Sequence, residues 1–125
     1  DIPTGPGKFL YLTCDLANDE MVKATLRTTM LKFGKIHHLV SVAGVLWFDK
    51  DKSGLEIDPS VWDNFFEINL KSMVHTMRYI VPHIRNAGDG AMFHFSTIQC
   101  LGGDTAPQDA YQASKGGYFS LFKIT

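Results

Sequence analysis

Tyr111 and Lys115 stand four residues apart. On a helix that spacing puts both side chains on one face, within reach of the same small volume. An ammonium beside a phenol favours the phenolate and draws a pKa of about 10 toward the range of a general acid or base. Taken alone, such a pair is more often a solvated surface pair. Ser96-Thr97 follows the apolar run Ala91 to Phe95. At the carboxyl end of a parallel strand, where open α/β sheets bind ligands, either hydroxyl could hydrogen-bond a carbonyl or alcohol oxygen; the plainer alternative is a Ser/Thr turn. Asn69 lies midway between Phe65 and Met73 on an apolar helical stripe. A buried amide there needs partners, which a local backbone bond or a core water would supply. The histidines do not suggest a metal site. His37 and His38 are adjacent and would point to opposite faces of a strand, while His75, His83 and His94 have no flanking acid pattern.

These residues need elements to position them. After Gly5-Pro6-Gly7, the run Phe9-Leu10-Tyr11-Leu12 has the apolar character of a buried strand. Asn18 can cap a helix in which Val22, Leu26, Met30 and Phe33 recur at helical spacing, with Gly34 as its stop. Ile36 to Ala43 is apolar on both faces apart from His37, His38 and Ser41, which predicts a strand covered by helices on both sides. Pro59 precedes a Ser60/Asp63 capping box, from which Trp62, Phe66, Leu70, Met73, Met77, Val81 and Ile84 mark a long helix ended by Asn86-Ala87-Gly88. Ala91 to Phe95 is a third strand, Gly102 to Pro107 a loop, and a last helix starts near Asp109 and runs to the end of the chain. Three strands alternating with amphipathic helices predict an α/β parallel sheet, without repeats or low-complexity tracts.

Composition sets the outer bounds. The 125 residues carry 12 Lys+Arg against 13 Asp+Glu, a net charge of -1. That balance argues against a partner bound through phosphates, nucleic acid above all, and against an anionic membrane surface. The longest mostly apolar stretch, Leu39 to Phe48, falls far short of the ~20 residues of a membrane helix. Cys14 and Cys100 form neither a disulfide framework nor a metal-type pair, so a reducing cytosol is expected. The opening at Asp1 and the late helix suggest a fragment of a longer chain.

In order, Asp15, Ser41-Val42-Ala43-Gly44, Asn69, Ser96-Thr97 and Tyr111-Gln112-Ala113-Ser114-Lys115 resemble the short-chain dehydrogenase/reductase family over nearly the whole chain. Tyr-x-Ala-Ser-Lys is the most specific element. The resemblance implies a partial Rossmann-type doubly wound parallel sheet, with residues 1–125 forming one partial dinucleotide-binding domain. It also implies an oxidoreductase that passes a hydride between NAD or NADP and an alcohol or ketone substrate. Tyr111 would exchange the proton. Lys115 would lower the Tyr111 pKa and hold the nicotinamide ribose, and Asn69 would position a water behind Lys115. Ser96 or Thr97 would orient the substrate oxygen, register favouring Thr97 and residue type Ser96. Asp15, with Leu16, would meet the adenine edge, while Ala43 and Gly44 let the cofactor approach the backbone. The helix Val61 to Arg85 and the helix after Tyr111 correspond to those through which relatives form homo-oligomers.

Two departures accompany the resemblance. The family's Asn-Asn-Ala-Gly stands here as Ser41-Val42-Ala43-Gly44, without its side-chain amides. Its first strand, glycine-rich phosphate turn and second strand have no counterpart, and Thr4-Gly5-Pro6-Gly7 lacks the spacing to replace the turn. In the strand order 3-2-1-4-5-6 those two strands fall between the first and second strands of this chain, which leaves a gap in the sheet. The rival reading is a non-catalytic scaffold that has lost cofactor binding.

Overall fold

The computed structural model describes residues 7–121; the Gly/Pro opening before Gly7 and the expected run of the last helix to the end of the chain lie outside the described residues. Helix α1 spans Asp19–Phe33. The Asn18 side chain accepts from the Met21 amide, Asp19 and Glu20 sit in the first turn, and Gly34 closes the helix at φ 77°. Each feature satisfies or complements an end of the helix whose backbone groups have no intrahelical partner.

The long helix is continuous but not uniform. It begins as α2, Pro59–Phe65, passes through a π-helical segment, Phe66–Lys71, and ends as α3, Ser72–Ala87. Its cap is Asp58, whose carboxylate accepts from the Ser60 amide at 2.8 Å, and the expected Ser60/Asp63 box does not form. Proline lacks an N–H and suits the first helical position, so the cap falls one residue before Pro59. Gly88 ends α3 at φ 99°.

Strands β1, His38–Ser41, and β2, Ala91–His94, pair in parallel with His38 opposite Ala91 and Ser41 opposite His94. A parallel pair needs a crossover, which the long helix provides. Gly90 leads into β2 where a Cβ would lie 2.0 Å from the His37 carbonyl oxygen, so a side chain there would break the register.

Among the described residues the sheet has two strands, not the expected three. Residues 8–13 carry no ladder, because a strand exists only with a neighbour and none stands beside this segment among the described residues. Nor is β1 covered on both sides: Val40 and Val42, with Phe93 and Phe95 beside them, are all more than half exposed. Beyond β2 comes an unexpected short turn of helix, α4, Gln99–Gly102, and then α5, Asp109–Leu121. The interior holds Val22, Phe65, Met73, Ile84, Ala110 and Tyr118 together with buried Asp51, Asn69, Ser114 and Lys115. Among the described residues no helix is long and apolar enough to cross a membrane.

Candidate active site

Helix α5 starts against a distant loop. Its amides at Ala110 and Tyr111 donate to the two carboxylate oxygens of Asp51, at 3.2 and 2.9 Å. The Asp109 amide reaches the Lys52 carbonyl at 3.4 Å, and the Asp109 carboxylate in turn accepts from the Gly54 amide at 2.7 Å. Asp51, 2% exposed, therefore does what an N-cap residue does, from 60 residues away. This fixes the turn that carries Tyr111, which is half-buried.

The π-helical segment supplies the opposite wall. Asn69 is fully buried, and its side chain is spent on three bonds: from the Val45 amide (2.7 Å), to the Val45 carbonyl (3.1 Å) and to Ser114 Oγ (3.0 Å). Neither a local backbone bond nor a water is needed to satisfy the amide. Ser114, also fully buried, donates to the Tyr111 carbonyl at 2.9 Å. The Asn69 backbone carbonyl accepts from the Tyr118 hydroxyl at 2.5 Å. Packing is close along this contact, since a Cβ on Gly117 would come within 2.9 Å of Leu70. The extra residue per turn of a π segment shifts side chains and carbonyls out of α-helical register, and such segments recur at functional sites.

Lys115 sits between these walls, 5% exposed. Its ammonium donates to the Phe95 carbonyl at 3.0 Å and to the Tyr118 hydroxyl at 3.4 Å. It forms none of the ion pairs found among the described residues. Burial pulls Lys115 below the usual lysine range, against a smaller upward pull from Cys100. Burial, and then Tyr111, push the Tyr118 phenol up to about 12. A Cβ on Gly44 would lie 2.9 Å from Lys115 Nζ and 3.2 Å from Asn69 Oδ1, so this glycine leaves room for the ammonium.

The structure thus gathers Gly44, Asn69, Ser96 and Lys115, with Tyr111 one helical turn before the lysine. Ser96 donates to the Lys115 carbonyl at 2.8 Å and so ties β2 to α5. Thr97 has only longer contacts, with the Gln99 side chain at 3.3 Å and the Gln99 amide at 3.4 Å. Ala43 is exposed beside Gly44. Ser41 Oγ, at the departure from the amide-bearing pattern, is buried without a hydrogen-bond partner among the described residues. Asp15 and Leu16 stand apart: the Asp15 carboxylate accepts from the Ala17 amide at 2.9 Å, and Leu16 lines an apolar hollow with Cys14, Val22 and Leu26.

Asp51, Ser114 and Tyr118 were given no role in the sequence reading. Tyr118 follows Tyr111 by two helical turns, so the stripe that links Tyr111 to Lys115 extends to it. Asp51 has no local signal, because its partners are 59 and 60 residues away.

A family model described as enoyl-(acyl carrier protein) reductase matches residues 3–125. Curated relatives include the short-chain reductase protein NovJ of Streptomyces niveus, 30% identical over 92% of this chain and 42% of its own length. Another is the short-chain dehydrogenase/reductase olcF of Penicillium canescens, 32% identical over 93% of this chain and 44% of its own. The crystal structure of a 3-ketoacyl-ACP reductase from Sinorhizobium meliloti 1021 superposes with a TM-score of 0.85 at 26% identity, covering 93% of this chain and 45% of that one. The chain therefore spans less than half the length of these relatives.

Proposed function

Because the chain belongs to the short-chain dehydrogenase/reductase family, we propose that it carries the proton-transfer side of an oxidoreductase that interconverts an alcohol and a carbonyl with NAD or NADP. One observation carries this reading. A buried lysine without a carboxylate partner among the described residues lies on the same helix stripe as Tyr111, beside a glycine that leaves it room. Burying an ammonium among neutral oxygens is costly, and perturbed ionisable groups of this kind cluster at functional sites.

The residues present suit the nicotinamide-ribose end of such a cofactor. An ammonium has three protons, and Lys115 commits two of them to protein oxygens. The third is available to a ribose hydroxyl, and the exposed backbone at Ala43 and Gly44 allows close approach. The bound cofactor supplies or accepts the hydride. Tyr111 gives its proton to the carbonyl oxygen during reduction and takes it back during oxidation, while the Lys115 charge stabilises the phenolate between turnovers. Asn69 contributes by fixing α5 through Ser114 and the stretch after β1 through Val45. Thr97 is the better candidate to orient the substrate oxygen, since Ser96 has committed its proton to the Lys115 carbonyl. Asp15 and Leu16 remain the proposed adenine-edge contacts. The free thiols of Cys14 and Cys100 suit a cytosolic setting. The apolar face of α3 at Val74, Met77 and Val81 is the proposed contact with a second copy.

The test is Tyr111→Phe in the whole protein. Turnover should fall at least ~1,000-fold with NAD(P)H affinity kept within about threefold, because only the proton-exchanging hydroxyl is lost. Activity near that of the unaltered enzyme overturns the assignment.

A further inference from the structure

Lys115 is stabilised where it lies by few groups. Facing the ammonium are Tyr118 from its own helix, the Cys100 thiol from α4, the Phe95 carbonyl after β2 and, across the space beside Gly44, the Asn69 carboxamide from the π-helical segment; Tyr111 lies one turn earlier on the same helix and acts on the Tyr118 phenol. His94 on β2 meets the Tyr118 ring edge-on, with centroids 6.3 Å apart. Carboxylates are absent from this set. Tyr118 supplies two contacts at once: its hydroxyl oxygen lies 3.4 Å from Nζ, and its ring centroid is 4.9 Å away. The hydroxyl proton is spent on the Asn69 carbonyl, which leaves an oxygen lone pair turned to accept from the lysine. Ring and oxygen are both partial negative charges in a desolvated place, where such contacts count for more than in water.

We propose that Tyr118 is a positioning residue, which through its hydroxyl oxygen and its ring holds the buried Lys115 ammonium in place and charged. Its value for turnover rests on the reading of Tyr111 and Lys115 given above; the contact itself does not. The Asn69 carbonyl cannot take a proton covalently, so a Tyr118 hydroxyl committed to it anchors the lysine and does not relay protons onward. Of the two contributions, the hydroxyl can be removed without the ring, and the ring can then be removed as well.

The experiment is an NMR titration of Lys115 in the whole protein, labelled with 13C at the lysine ε-carbon and assigned through Lys115→Met. Tyr118→Phe keeps the ring and should lower the Lys115 pKa by roughly 0.5–1 unit, the equivalent of one hydrogen bond. Tyr118→Leu should lower it further, by roughly as much again. The alkaline limb of kcat/KM should move down with it. A Lys115 titration in Tyr118→Phe within about 0.2 unit of the unaltered protein overturns the proposal. If Tyr118→Leu does not fold, Tyr118→Phe alone decides. An altered Lys115 titration in a protein whose turnover ignores Tyr111→Phe would sink the proposed reaction and leave the Tyr118 contact standing.

Discussion

Around the first turns of α5, two amides are capped by Asp51, Asn69 is bonded on both sides of its carboxamide, and Ser114, Lys115 and Tyr118 bind one another's neighbours. A few residues away, strands β1 and β2 share one short ladder, and Val40, Val42, Phe93 and Phe95 turn an apolar face outward. The two regions differ in what they need from outside. Polar contacts saturate with one or two partners at fixed distance, so the α5 site is closed by residues of this segment alone. An apolar sheet face is satisfied only by area, and the described residues supply too little of it.

Asn69→Leu would break the closed region at its centre. The amide and carbonyl of Val45 and the Ser114 hydroxyl would lose their partner in a buried place, so a loss of about 4 kcal/mol is expected in urea unfolding of the whole protein. A loss below about 1 kcal/mol would show that water replaces the carboxamide and that the region is not closed in the sense used here.

Asp51→Ala should cost somewhat less, about 3 kcal/mol, because it frees two amides at one helix end and empties a small volume. Amide exchange at Ala110 and Tyr111 should accelerate more than exchange in α1, which shares no bond with the 51-loop. Equal acceleration in both helices would mean that Asp51 serves overall stability and not the placement of Tyr111.

Phe93→Ser probes the open region. In the whole protein the face formed with Val40 should be covered, and the substitution should then cost about 2 kcal/mol, as for other large apolar side chains that are partly buried. A cost under about 0.5 kcal/mol would show that the face stays exposed there too.

The same contrast explains what the sequence made legible. Helices announce themselves locally: Asn18 with Gly34 bracketed α1, and the apolar period carried the reading from Trp62 through Ile84. The segment Phe9 to Leu12 has strand chemistry, yet pairing depends on a distant neighbour, so its sequence could not reveal that no ladder forms. The π-helical segment left no mark in the period of Phe66, Leu70 and Met73. Tyr-x-Ala-Ser-Lys placed Tyr111 and Lys115 correctly on one helix, but the residues that hold that helix, Asp51 and Asn69, come from elements 60 and 45 residues away. Contacts of that range are properties of the fold, and short motifs do not contain them.

The smallest effect separates the two ionisable groups at the heart of the closed region. Lys115 has its folded pKa depressed, so below 10.5 the unfolded chain binds more protons and stability rises with pH across that window. Tyr118 is pushed up to about 12, so from about 10 upward the unfolded chain loses this proton first and stability falls as pH rises. Between pH 10 and 11 the tyrosine should cost the protein about 1 kcal/mol. Tyr118→Phe removes that slope and, by lowering Lys115 further, enlarges the rise due to the lysine, so the advantage of the unaltered protein over the variant should shrink as pH rises, most steeply above pH 10. Parallel profiles throughout would mean that the Tyr118 hydroxyl is as solvated in the folded protein as in the unfolded chain, and the region around α5 would then be open on the side where Tyr118 meets Asn69.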